Sequence, residues 1–152
     1  MYFEDYVPGR VFELAPIEVS HEDIVTFARE YDPQPFHLDP EIPEARALGG
    51  LIASGWQTSL LTMRSFVTGY ISDESNLPSP GIDELRWHAP MRPGETLSVR
   101  VTVLEARASQ SKPDRGVVRS RLEAIDTEGR VRLSMEPINI MRRRPTTDPD
   151  AS

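Results

Sequence analysis

A chain of 152 residues, 38% apolar, 27% charged and 7% aromatic, is long enough for one domain with its own core and too short for two ordinary ones. A formal net charge of −7 argues against a nucleic-acid partner, and the absence of cysteine removes disulfides, thiolate metal sites and a cysteine nucleophile together. The start "MYFEDYVPGRVFELAP" lacks a signal peptide's basic end and apolar run, and no stretch approaches the roughly 18 apolar residues of a membrane span, so a soluble cytoplasmic protein without membrane contact is expected.

Fourteen prolines point to many fixed turns and a sheet-rich fold. Residues 11–19, "VFELAPIEV", read as extended, with Pro16 confining them to an edge or a bend. Ser20 and Asp23 have capping-box spacing, and Ile24, Phe27, Ala28 and Tyr31 recur at helical intervals, predicting a helix over 21–31. Pro33 ends it and hands Asp32 to the loop "YDPQPFHLDP". "DPEIPEARA" makes a short helix or a pair of turns. Residues 55–69, "GWQTSLLTMRSFVTG", form a second helix whose apolar residues, Leu60, Leu61, Met63, Phe66 and Val67, spread widely enough to bury it on more than one side. From residue 82 the period becomes two: "GIDELRWHAP", "ETLSVRVTVLEA", "VVRSRLEAID" and "RVRLSMEPINIM" read as antiparallel strands with one buried face. A one-sided sheet must cover that face, and the 55–69 helix is the only long apolar element available, so the sheet should wrap around it. Residues 1–141 are read as a single domain and 142–152 as a disordered tail, with Arg142, Arg143 and Arg144 a solvated end.

Asp32 and His37 are the first candidates for chemistry. A carboxylate and an imidazole within reach of one substrate can orient water, take its proton and return one. Five extended residues span up to roughly 17 Å, so the loop must fold back before the two can cooperate. Spacing alone leaves the plain reading standing: an aspartate that ends a helix and a polar loop histidine. Gln34, between them, either supports the loop through its amide or is solvated.

The second feature is "GGLIASGW" before the long helix. Ser54 is its natural N-cap, and the Gly55 amide at its start suits a developing negative charge. The simpler account, that Gly49, Gly50 and Gly55 permit tight packing, is the stronger one on sequence alone. His21 and His88 read as structural or surface residues. With His37 they show no HxH or HExxH spacing, so no metal site is expected.

Together these pieces resemble the MaoC-like hydratase/dehydratase family, of the (R)-specific enoyl-CoA hydratase type. The family motif places an asparagine two residues after the aspartate, then a proline, and the histidine five after the aspartate; "DPQPFH" supplies Asp32, Gln34, Pro35 and His37. "GGLIASGW" is similar to the family's entry into its central helix, and "LRWHAPMRPGETL" to the strand and turn that follow. The sequence departs from the pattern at Gln34, which stands for asparagine, and at Ser54, where many members carry histidine.

The resemblance implies an α+β hot-dog fold, an antiparallel sheet wrapped around one long central helix. It implies reversible hydration of a 2-enoyl-CoA to a 3-hydroxyacyl-CoA, with Asp32 and His37 activating water and Gly55, capped by Ser54, receiving the thioester oxygen. It implies no metal or redox cofactor, coenzyme A entering only as the substrate thioester, and a homodimer or higher homo-oligomer. Arg86 and Arg92 are the candidates for the CoA phosphates. An acyl-CoA thioesterase on the same fold and a non-catalytic acyl-CoA-binding partner subunit are the alternatives.

Overall fold

A computed structural model describes residues 1–146. In chain order it contains β1 (Val11–Glu18), α1 (His21–Tyr31), α2 (Pro43–Ala47), α3 (Gly55–Gly69), β2 (Asn76–Trp87), β3 (Thr96–Ala108), β4 (Arg115–Ile125) and β5 (Val131–Arg142), with 3₁₀ turns at Phe3–Asp5 and Pro35–His37. The five strands form one antiparallel sheet in the order β1-β3-β4-β5-β2. The sheet lies against α3, which is the hot-dog fold.

Alternation sets the core. Leu97, Val99, Val101 and Val103 of β3 point to the same side as Val118, Leu122 and Ala124 of β4 and Leu133, Met135 and Met141 of β5, and all are buried. The capping box of α1 closes in both directions, Asp23 N–H donating to Ser20 Oγ and Ser20 N–H to Asp23 Oδ2.

Both sheet edges carry proline. β1 slips register between Leu14 and Ile17, around Pro16. β2 begins at Asn76, six residues before the expected change of period, and takes in Pro78, Pro80 and Gly81. On an edge strand their missing donors face away from the ladder, and the Ser79 hydroxyl bonds the Ile138 carbonyl across a register shift.

The face of α3 differs from expectation. Of the five apolar residues named for it from the sequence, only Phe66 is fully buried; Leu60 and Val67 are exposed, and Leu61 and Met63 are partly covered. The buried side carries Thr58, Ser59, Thr62 and Ser65. Small side chains let a helix lie close to a curved sheet, and their hydroxyls are satisfied: Thr58 to Ser54 O, Ser59 to Gly55 O and Thr62 to Thr58 O within the helix, and Ser65 to Ala15 O of β1. Trp56, Leu60 and Val67, at i, i+4 and i+11, are left exposed on the outer face, with Met63 partly covered beside them.

At the chain's end, Arg142 belongs to β5. Arg143 and Arg144 reach back to Glu4 and Asp5, with Arg144 also over the Tyr2 ring. The rest of the expected tail, 147–152, lies outside the described residues.

Candidate active site

Asp32 closes α1 with a backbone outside the helical region (φ −148°, ψ 69°), its N–H still donating to Ala28 O. The chain then coils. Gln34 N–H donates to Asp32 O at 2.7 Å, Pro35 opens a 3₁₀ turn, His37 N–H donates to Gln34 O, and the N–H groups of Leu38 and Asp39 converge on Pro35 O. Pro35 suits the first position of such a turn because its φ is already set and its missing N–H has no partner to lose. The result brings His37 Nε2 to 3.4 Å from Asp32 Oδ2.

His37 is 5% exposed. Its Nδ1 lies 2.7 Å from Ile52 O, and a carbonyl can only accept, so Nδ1 carries the hydrogen. In the neutral ring Nε2 then holds a lone pair directed toward Asp32. Asp32 accepts from Gln34 Nε2 on one oxygen and from Ser54 Oγ on the other, each at 2.6 Å. Burial pushes this carboxyl upward, but the hydrogen bonds from Ser54 and Gln34 and the nearby His37 outweigh it and hold it below the ordinary carboxylate range. Atoms 3.4 Å apart leave no space for a water between them, so one touching both Nε2 and Oδ2 at about 2.8 Å would sit to one side of the pair.

Ser54, fully buried, joins this pair to the helix. Its hydroxyl hydrogen goes to Asp32, while its oxygen caps α3 by accepting from Trp56 N–H at 3.2 Å. The Gly55 N–H, the first of α3, has no acceptor within the helix and sits at the positive end of its dipole. Glycine is required at 55 by a neighbour: a Cβ there would lie 2.5 Å from the Trp87 ring. Gly49 and Gly50 have another reason, φ values of +84° and +121° in the chain leaving α2.

His37 and Gly55 line one cavity of about 280 Å³ with Ile52, Ala53, Thr58, Trp87 and Met91. A model of the MaoC like domain matches residues 5–126. The chain belongs to the MaoC-like family. It is similar to the crystal structure of a MaoC-like dehydratase from Rhodospirillum rubrum, at 39% identity and a TM-score of 0.87 over 95% of this chain and 99% of that one. The uncharacterized protein YdeM of Bacillus subtilis is 27% identical over 112 residues, 74% of this chain and 79% of its own. R-Hydratase PhaJ1 from Pseudomonas aeruginosa shares the fold at 21% identity and a TM-score of 0.69, over 95% of this chain and 86% of that one.

The remaining candidates of this MaoC-like chain are dispersed. Arg86 is exposed and paired with Glu84 at 3.4 Å. Arg92 donates to Leu48 O and packs beside Gly49. It lines a second cavity of about 520 Å³, which shares His88, Ala89, Pro90 and Arg132 with the first. His88 bonds Ser134 Oγ through Nε2 at 2.7 Å, and His21 is exposed in the first turn of α1. Among the described residues no group of three or more His, Asp or Glu is placed to hold a metal, and no helix is long and apolar enough to cross a membrane.

Sequence reasoning missed three contributions. The Ser54–Asp32 bond was within reach, since a capping serine retains a hydroxyl hydrogen for a neighbour. The Ile52 carbonyl, which orients His37, left no signal because any residue supplies one. Trp87 carries no signal of its own within "GIDELRWHAP", because its contact with Gly55 joins positions 32 apart in the chain.

Proposed function

We propose that this chain is a hydratase/dehydratase acting across the 2,3 double bond of an enoyl thioester, with a CoA ester as the substrate form. The observation that carries this reading is the 3.4 Å approach of His37 Nε2 to Asp32 Oδ2, with His37 and the Gly55 helix start on a common cavity. With Nδ1 donating to Ile52, Nε2 is the basic atom. It takes a proton from the bridging water while Asp32, kept ionised, accepts the other hydrogen and stabilises the imidazolium. The hydroxide adds to C3, and the thioester oxygen gains enolate charge and is met by the Gly55 N–H. The imidazolium then returns the proton to C2, so water is added in full and no electrons leave the substrate. Dehydration is the same path reversed.

Family membership and the similarity to the Rhodospirillum rubrum protein support the reaction class. The fold shared with PhaJ1 accords with an (R)-3-hydroxyacyl product. Ser54 and Gln34 hold Asp32 in this scheme, and the cavity carrying Arg92 receives the anionic end of the thiol carrier. The exposed Trp56, Leu60 and Val67 on one side of α3 support a homodimer, since a second copy would cover them.

The test is loss of the conjugated-thioester absorbance when the protein meets crotonyl-CoA, with thiol trapping run in parallel. Hydration without thiol release is expected. Thiol release without hydration would replace the scheme with a thioesterase.

A further inference from the structure

Trp87 ends β2 with its indole fixed from two sides. One ring face lies on the Cα of Gly55, where an added Cβ would be 2.5 Å from Cδ2. Its Nε1–H donates to Ser59 Oγ at 2.9 Å, and Ser59 in turn donates to Gly55 O at 2.8 Å. Trp56 meets it edge-on, centroids 5.2 Å apart and planes at 78°. A side chain so held does not swing aside at low cost. Yet 47% of its surface is uncovered, and it walls the cavity that also contains His37 and Gly55. That cavity, about 280 Å³, is just below the ~300–1,000 Å³ of pockets that enclose drug-sized ligands, and it adjoins the 520 Å³ cavity at His88, Ala89, Pro90 and Arg132, so Trp87 stands as one wall of the narrower end.

We propose that Trp87 is the residue that sets acyl-chain length, and that it restricts this protein to short-chain 2-enoyl thioesters. This rests on the hydratase reading for its substrate, though not for its test. An acyl group placed with C3 near His37 and its thioester oxygen near Gly55 N–H has Trp87 within the same small space. The ring packs against the first carbons beyond C3 and obstructs a longer chain. Ser59 acts as a positioning residue, keeping the indole across the helix start.

The experiment measures kcat/KM for trans-2-enoyl-CoAs of four to ten carbons, and calorimetric binding of butyryl-CoA and octanoyl-CoA, for the wild type, Trp87→Ala, Trp87→Phe and Ser59→Ala. The wild type should favour four carbons over eight by at least tenfold in both measurements. Trp87→Ala should erase or invert that ratio, Trp87→Phe should shift it partway, and Ser59→Ala should shift it less than Trp87→Ala. Circular dichroism checks that each variant is folded; should Trp87→Ala fail to fold, Trp87→Phe decides. A wild type that prefers eight carbons overturns the proposal. So does a Trp87 variant that weakens both chain lengths equally, since a purely structural tryptophan would give that result. Absence of turnover at every length would end the hydratase scheme alone, because the binding ratio still reports on Trp87.

Discussion

Two clusters of buried charge lie near each other in this molecule and differ in one respect. Around Arg132, every carboxylate is matched: Arg132 donates twice to Glu95 and once to Asp126 and also bonds Pro90 O, while Asp126 accepts from the Glu128 and Arg130 N–H groups and the Arg130 side chain. Its cation and anions meet directly, tying the turn before β3 to the β4–β5 hairpin. Around Asp32 the carboxylate is equally well supplied with donors, yet its neighbour His37 spends Nδ1 on Ile52 O and retains a lone pair at Nε2. The first arrangement holds strands in place. The second keeps a basic atom available beside a fixed negative charge, which is what proton transfer needs.

The sharpest way to break this contrast is to remove the chemistry while keeping the shape. Asp32→Asn and His37→Ala should each lower the hydration rate by roughly 10²–10⁴-fold. Asp32→Asn should lower the urea midpoint modestly, since one of the two donors, Ser54 Oγ or Gln34 Nε2, loses its acceptor, while circular dichroism should show the fold retained. Turnover near the wild-type rate in either variant would make the Asp32 cluster as purely structural as its neighbour.

The reverse experiment is Arg132→Met. Deleting one partner of a largely buried ion pair costs about 3–5 kcal/mol, and the lower end is expected because Asp126 keeps Arg130 and two backbone donors. Urea unfolding reads this as a lower midpoint at unchanged slope. Hydration per folded molecule should fall far less than for Asp32→Asn.

Ser54→Ala touches both functions of one side chain. It removes the cap of α3, worth about 1 kcal/mol, and one of the two side-chain donors on Asp32. Stability should fall by about that amount. The rate should fall less than for Asp32→Asn, because Gln34 and His37 still hold the carboxylate.

The smallest effect is one of pH. The backbone N–H of Arg130, then the Arg130 side chain, the Glu128 N–H and Arg132, lower the Asp126 carboxyl to about 2 despite the opposing effect of burial. A depressed folded pKa means stabilisation that is complete above the unfolded value near 3.9 and is lost as the pH falls toward 2. The urea midpoint should therefore decline between about pH 4 and pH 2, less steeply in Asp126→Asn. Asp32 titrates in the same sense, and its Asn variant should also flatten that decline.

Several of these features were legible in the chain. Proline at 33 ends a helix wherever it occurs, Ser20 and Asp23 cap locally, and alternating Leu97, Val99, Val101 and Val103 state which face is buried, since each depends on near neighbours. The α3 stripe misled because hydrophobic spacing says which residues share a face, not which face a curved sheet can approach; there small hydroxyl residues fit better than leucine. The early start of β2 at Asn76 was not legible, because only membership of an edge makes the missing donors of Pro78 and Pro80 harmless.

The sequence by itself determined the elements, the one-sided strands and the stiff turn carrying Asp32 and His37, because those follow from backbone sterics and short-range periodicity. Tertiary structure alone decided that Ile52 O fixes the imidazole, that Ser54 joins Asp32 to α3 and that Trp87 closes over Gly55. Those contacts join residues 15, 22 and 32 positions apart, and their distances exist only once the sheet has folded around the helix.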